Sequence, residues 1–246
     1  MTATSVAWKV AAAAGAAGLA HSVPSVAVLG QWTPVRRLGR AVWRGPAGPG
    51  TPVAVTFDDG PSPEATPALL DRLDGLGWKA TFFTLGEAVA RHRGLVAEVA
   101  ARGHQVETHG YRHRHHLLTP PWEVAADLRL ALEGLARVGV APRWLRPPYG
   151  QVSGGTVAAA RRAGLKLALW SAWGREWAAG DAGAVGRRVA AGLAPGAIVL
   201  LHDSDATSPP GSAARALGAL DQVAAEMDRR GLRAAVLDQV VGDAAS

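Results

Sequence analysis

A chain of 246 residues with 48% hydrophobic and 19% charged residues can bury a sizeable core, which excludes wholesale disorder and allows one large α/β domain or two small ones. The formal charge is +6, but only Lys9, Lys79 and Lys166 are lysines, and the arginines are scattered along the chain. That pattern argues against a nucleic-acid partner. The absence of cysteine rules out disulfide and thiolate chemistry and leaves the compartment open.

From Val10 to Gly30 the chain carries no Asp, Glu, Lys or Arg, and Arg36, Arg37, Arg40 and Arg44 follow. Three readings stay open for this stretch. It is a signal-like segment with Lys9 as its basic start, a membrane-associated segment weakened by Ala, Gly and Pro24, or an Ala-rich helix packed on the domain. The Gly/Pro-rich "RGPAGPGTP" from Arg44 to Pro52 marks a boundary. The expected organisation is therefore an apolar segment with its linker over 1–50, a main domain over 51–242 and a tail over 243–246. Membrane association, if any, falls to residues 1–30, and the expected location is the cell envelope or the exterior, with the cytoplasm still open.

Beyond Pro52, short apolar runs alternate with segments of helical period. Strands are predicted at 53–58, 80–85, 105–108, 144–146, 166–170, 197–201 and 233–237. Helices are predicted at 67–76, 94–102, 122–138, 154–163, 181–193 and 213–230. Gly103, Gly139, Gly164 and Gly231 stand where helices should stop. Such a rhythm implies parallel strands joined by right-handed crossovers. No G-x-G-x-x-G follows the first strand, so a barrel is favoured over a dinucleotide-binding sheet.

Chemistry-bearing residues gather at the predicted strand ends. The first strand ends on Asp58 and Asp59, the third runs into His109 and His113, the fourth into "RPPY", the fifth into "WSAWGREW" and the sixth into "LLHD". In a parallel barrel these ends share one face, where such folds carry their active sites. Two histidines four apart can meet one metal, although His115 and His116 make the segment His-rich, and taken alone such histidines are more often solvated than ligating. A carboxylate from a neighbouring strand end favours the metal reading, with one aspartate on the cation and the other free as a base.

This series of motifs resembles the polysaccharide deacetylases of carbohydrate esterase family 4, the NodB-like domain. The resemblance runs from about Val53 to Gly242, with "TFDDGP" and "RPPYG" its most specific stretches. It implies a distorted parallel (β/α) barrel of about seven strands that removes N-acetyl groups from amino sugars in a polysaccharide, a cell-wall glycan or a lipid-linked sugar. It also implies a divalent metal, zinc first, with cobalt, nickel or manganese as alternatives. Matched residue by residue, Asp58 is the base, and Asp59, His109 and His113 are the metal ligands. Arg146 orients Asp58, the Tyr149 amide helps bind the oxyanion, and His202 is the general acid. Pro148, Trp173, Trp177 and Leu200 contribute to substrate binding, the last two near the acetyl methyl. Activity on another N-acyl group, or a catalytically weak carbohydrate-binding relative, are the competing readings.

The chain departs from the family in two places. Gly110 and Arg114 follow the two histidines where Ser or Thr and Pro are usual, and the Asp-x-x-Asp-Trp motif reads Trp173-x-x-Glu176-Trp177. The second change leaves open which carboxylate serves His202, with Glu176, Asp203 and Asp205 as candidates.

Overall fold

A computed structural model describes residues 41–242. The expectations for residues 1–40 and for the tail therefore lie outside the described residues. All seven predicted strands are present, most of them shortened. They are β2 (Val53–Asp58), β3 (Thr81–Thr84), β4 (Gln105–Thr108), β5 (Trp144–Leu145), β6 (Lys166–Ala168), β8 (Ile198–His202) and β9 (Ala234–Ala235). Two more appear, β1 (Ala41–Val42) and β7 (Ala172–Trp173). β1 lies ahead of the Gly/Pro-rich stretch, and β7 forms because the chain bends at Ser171 after leaving β6 and then pairs with β8. Neither has the length or alternation that marks a strand in sequence.

The six predicted helices form as α1 (Thr66–Gly75), α3 (Arg93–Ala101), α4 (Pro121–Ala136), α5 (Gly154–Arg162), α6 (Ala182–Gly192) and α7 (Ser212–Arg229). Two short ones, α2 (Gly86–Arg91) and α8 (Leu237–Val241), escape prediction. None of the described helices is long and apolar enough to cross a membrane.

Every named strand pair is parallel, and the sheet runs β1-β6-β5-β4-β3-β2-β8-β7, with β9 added beside β2. The segment that follows β1 reaches the start of β8, where Arg44 forms an antiparallel bridge to Ala197 and the Gly45 N–H donates to the Gly196 carbonyl at 2.7 Å. The result is the distorted (β/α) barrel that the strand and helix rhythm predicts.

β2 shows how sequence becomes position. Alternate residues point to opposite faces, so Val53, Val55 and Phe57 meet the apolar sides of α1 and α7, among them Leu69, Leu70, Leu73, Leu220 and Val223. Ala54, Thr56 and Asp58 have the opposite phase. Ala54 packs in a second cluster with Phe83, Ala168 and Ile198, closed by Leu237, Val240 and Val241 around α8. Each large aliphatic side chain buried in this way contributes roughly 1.5–3 kcal/mol. The interior thus grades from apolar near the strand starts to polar at the strand ends.

Candidate active site

Adjacent residues on a strand should face opposite ways, yet Asp58 and Asp59 line the same cavity. Asp59 has φ of 78°, a left-handed conformation that Asp tolerates better than most residues. It breaks the alternation and turns the second carboxylate back to the barrel end. Gly60 is required next. Its N–H donates to Asp203 Oδ1 at 3.0 Å, and a Cβ there would lie 2.1 Å from Asp203 Oδ2.

Each carboxylate has a distinct partner set. Asp58 Oδ1 accepts from Arg146 Nη1 at 2.6 Å, while Oδ2 faces His109 Nε2 at 3.8 Å. Arg146 is fully buried, with further bonds to Thr56 Oγ1 and the Leu169 carbonyl, and its guanidinium lies 4.0 Å from the centre of the Phe83 ring. Burial pushes the Asp58 carboxyl above its usual range, against the opposing pull of Arg146.

Asp59 Oδ1 is buried and has no hydrogen-bond partner among the described residues. It lies 3.4 Å from His109 Nε2 and 3.6 Å from His113 Nε2. Ligand atoms from these three residues all fall within 4.8 Å of one another. The Nδ1 atom of His109 is engaged by the Arg146 carbonyl at 2.7 Å, so the ring donates there and turns its Nε2 lone pair to the cluster. Burial holds the His113 imidazolium down to about 3 and that of His109 well below its ordinary value, while it lifts the Asp59 carboxyl to about 6. Two neutral imidazoles and an orphaned buried carboxylate oxygen fit a divalent cation, which would supply the missing partner.

His202 stands on the other side. Its Nε2 is 4.0 Å from Asp59 Oδ2, and its Nδ1 is 3.4 Å from Glu176 Oε1, which also accepts the His202 backbone N–H at 3.0 Å. Burial acts to lower this imidazolium, but the hydrogen bond and charge of Glu176, helped by Asp59 and Asp58, outweigh it and lift His202 to about 9. Glu176 is therefore the carboxylate that serves His202. The other two candidates are committed elsewhere, Asp203 to Gly60 and Thr66 Oγ1, Asp205 to the N–H groups of Gly211 and Ala213.

The cavity, about 340 Å³ in volume, has an indole wall. Trp170, Trp173 and Trp177 follow one another with ring centres 5.7 Å apart at each step, and Trp177 meets His202 edge to face at 5.4 Å. Leu200 and Tyr149 also form part of the lining. Tyr149 has φ of 58°, stacks flat on His115 at 3.7 Å and meets His113 edge-on at 4.2 Å. Gly150 follows because a Cβ there would come within 2.7 Å of Trp170. Pro148 is buried in the turn beneath Tyr149 and is absent from the cavity lining.

Two side chains that no motif singles out support the cluster. Asp127, on α4, accepts the Tyr111 N–H at 2.7 Å and the Arg112 N–H at 3.2 Å, and so holds the loop between the two histidines. The Thr207 hydroxyl donates to Asp59 Oδ2. In sequence Asp127 is one polar residue on an amphipathic helix, and Thr207 lies in a polar loop, so nothing local distinguishes them.

The profile of the polysaccharide deacetylase family matches residues 46–168. Over 192 residues, 78% of this chain, it is 34% identical to the peptidoglycan-N-acetylglucosamine deacetylase PgdA of Listeria monocytogenes, of which it spans 39%. It is 38% identical over 161 residues to a chitooligosaccharide deacetylase of a Bradyrhizobium species, covering 65% of this chain and 72% of that protein. The crystal structure of the Bc1960 peptidoglycan N-acetylglucosamine deacetylase superposes with a TM-score of 0.77 at 30% identity, over 85% of this chain and 97% of that one. With the paired aspartates, the two histidines and the buried arginine in place on a matching barrel, the chain belongs to the polysaccharide deacetylase family.

Proposed function

We propose that this chain is a metal-dependent hydrolase that removes N-acetyl groups from amino sugars of a cell-envelope glycan. The observation that carries this reading is the clustering of Asp59, His109 and His113 between a buried carboxylate held by arginine and a histidine held by glutamate. Asp59, His109 and His113 would hold the ion, with zinc the best match to two imidazoles and a carboxylate and cobalt, nickel or manganese as alternatives. When bound, a divalent ion supplies Lewis-acid polarisation of an amide carbonyl and lowers the pKa of water toward about 7.

The remaining steps belong to the side chains. Asp58 takes a proton through Oδ2, because Arg146 occupies Oδ1 and fixes the carboxylate plane. His202, kept protonated by Glu176, presents Nε2–H to the departing amine. A positioned base or acid of this kind is typically worth about 10² to 10⁴ in rate. The Tyr149 amide, from a residue that lines the same cavity, would meet charge developing on the former carbonyl oxygen. Trp173 offers an indole face for a sugar ring, and Leu200 and Trp177 form the apolar wall against the acetyl methyl. Glu176 also removes the main ground for a catalytically weak relative, since the altered motif still delivers a carboxylate to His202.

Acetate release from N-acetylated chito-oligosaccharides and from peptidoglycan tests this directly. Chelation abolishes release and added zinc restores it, whereas chelator-insensitive turnover overturns the proposal. Asp58→Asn keeps the metal and loses most turnover, and His109→Ala loses both.

A further inference from the structure

We propose that Thr207 is a positioning residue for the metal ligand Asp59: its hydroxyl holds Oδ2 and leaves Oδ1 as the single oxygen offered to the cation. This rests on the metal-site reading above and extends it to a side chain outside the family's motifs.

The two oxygens of Asp59 sit in different surroundings. Oδ1 faces both histidines and has no donor, while Oδ2 accepts from Thr207 and lies 4.0 Å from His202 Nε2. A carboxylate free to rotate could turn either oxygen, or both, to a cation. One hydroxyl fixed on Oδ2 removes that freedom, as partners of metal ligands commonly do.

The loop is built to hold the hydroxyl in place. Asp203 ties its start to Gly60 and Thr66, and Asp205 closes its end by accepting the N–H groups of Gly211 at 2.6 Å and Ala213 at 2.7 Å. Between them the Ala206 N–H donates to Ser204 Oγ at 3.0 Å, and the Ser208 N–H donates to the Asp205 carbonyl at 3.1 Å. Thr207 is exposed at the tip of this braced loop and also lines the substrate cavity. It contributes nothing to the apolar core, so removing its hydroxyl costs at most the one hydrogen bond to Asp59 and leaves the fold in place.

Zinc titrated calorimetrically into the metal-free full chain decides the matter, with the metal-free melting temperature measured alongside. Thr207→Val, which keeps the shape and loses the hydroxyl, is expected to bind zinc about 10- to 100-fold more weakly than the parent. Its metal-free form should still melt in one cooperative transition, lowered by no more than the one hydrogen bond lost to Asp59, and Thr207→Ser should restore the affinity. Parent-like zinc affinity in Thr207→Val overturns the proposal. So does a Thr207→Ser as weak as Thr207→Val, or an affinity loss in a variant that has lost its cooperative metal-free transition. A parent chain that takes up no zinc overturns the metal-site reading and this proposal with it.

Discussion

Replacing Glu176 by Gln removes one buried charge and keeps an acceptor oxygen for both the His202 backbone N–H and the ring Nδ1–H. Geometry should survive, and the proton on His202 should not. Burial, which acts to lower the imidazolium, is then opposed only by Asp59 and Asp58, and a cation on Asp59 offsets much of that help. His202 therefore falls from about 9 toward its ordinary 6.5. At about 1.4 kcal/mol per tenfold change in proton affinity, that is roughly 3 kcal/mol of lost preference for the charged form. At pH 8 the protonated fraction drops from about nine tenths to about 3 per cent, a loss of roughly 30-fold in acid-competent enzyme, while near pH 6 the loss is less than twofold. The assay is kcat/KM for acetate release across pH. The alkaline limb should move down by about two pH values in Glu176→Gln and largely return in Glu176→Asp. A uniformly slower enzyme with an unmoved alkaline limb would refute the role assigned to Glu176.

Arg146→Met should destabilise the fold by about 3–5 kcal/mol at pH 8, because it strands Asp58 as a buried, uncompensated charge. The folded-state pKa of Asp58, already above its unfolded value, rises further without Arg146, so the penalty grows as pH rises toward it and shrinks on acidification; urea denaturation at pH 5 and pH 8 should show the smaller loss at pH 5. Asp127→Ala leaves the Tyr111 and Arg112 N–H groups without their acceptor, at up to about 1–3 kcal/mol for the half-buried Tyr111 donor and less for the exposed Arg112. Metal content after dialysis should fall, with Asp127→Asn intermediate because one amide oxygen still accepts. Equal metal content in the parent and Asp127→Ala would count against that role.

Much of the barrel is written into local patterns. Val53, Val55 and Phe57 alternate with smaller or polar residues, and the glycines at 103, 139, 164 and 231 stop helices before new strands. Because parallel strands present their ends on one face, these signals place Asp58, Asp59, His109, His113, Arg146 and His202 together before any contact is seen. Local chemistry could not choose among Glu176, Asp203 and Asp205 as the partner of His202. Three-dimensional packing makes that choice, bringing Glu176 within 3.4 Å of the ring while Asp203 and Asp205 brace loops. Asp127 and Thr207 acquire their roles in the same way, across 16 and 148 residues of chain. Periodicity and turn chemistry act between neighbours and are readable in sequence, whereas a hydrogen bond between distant side chains exists only once folding has brought them together.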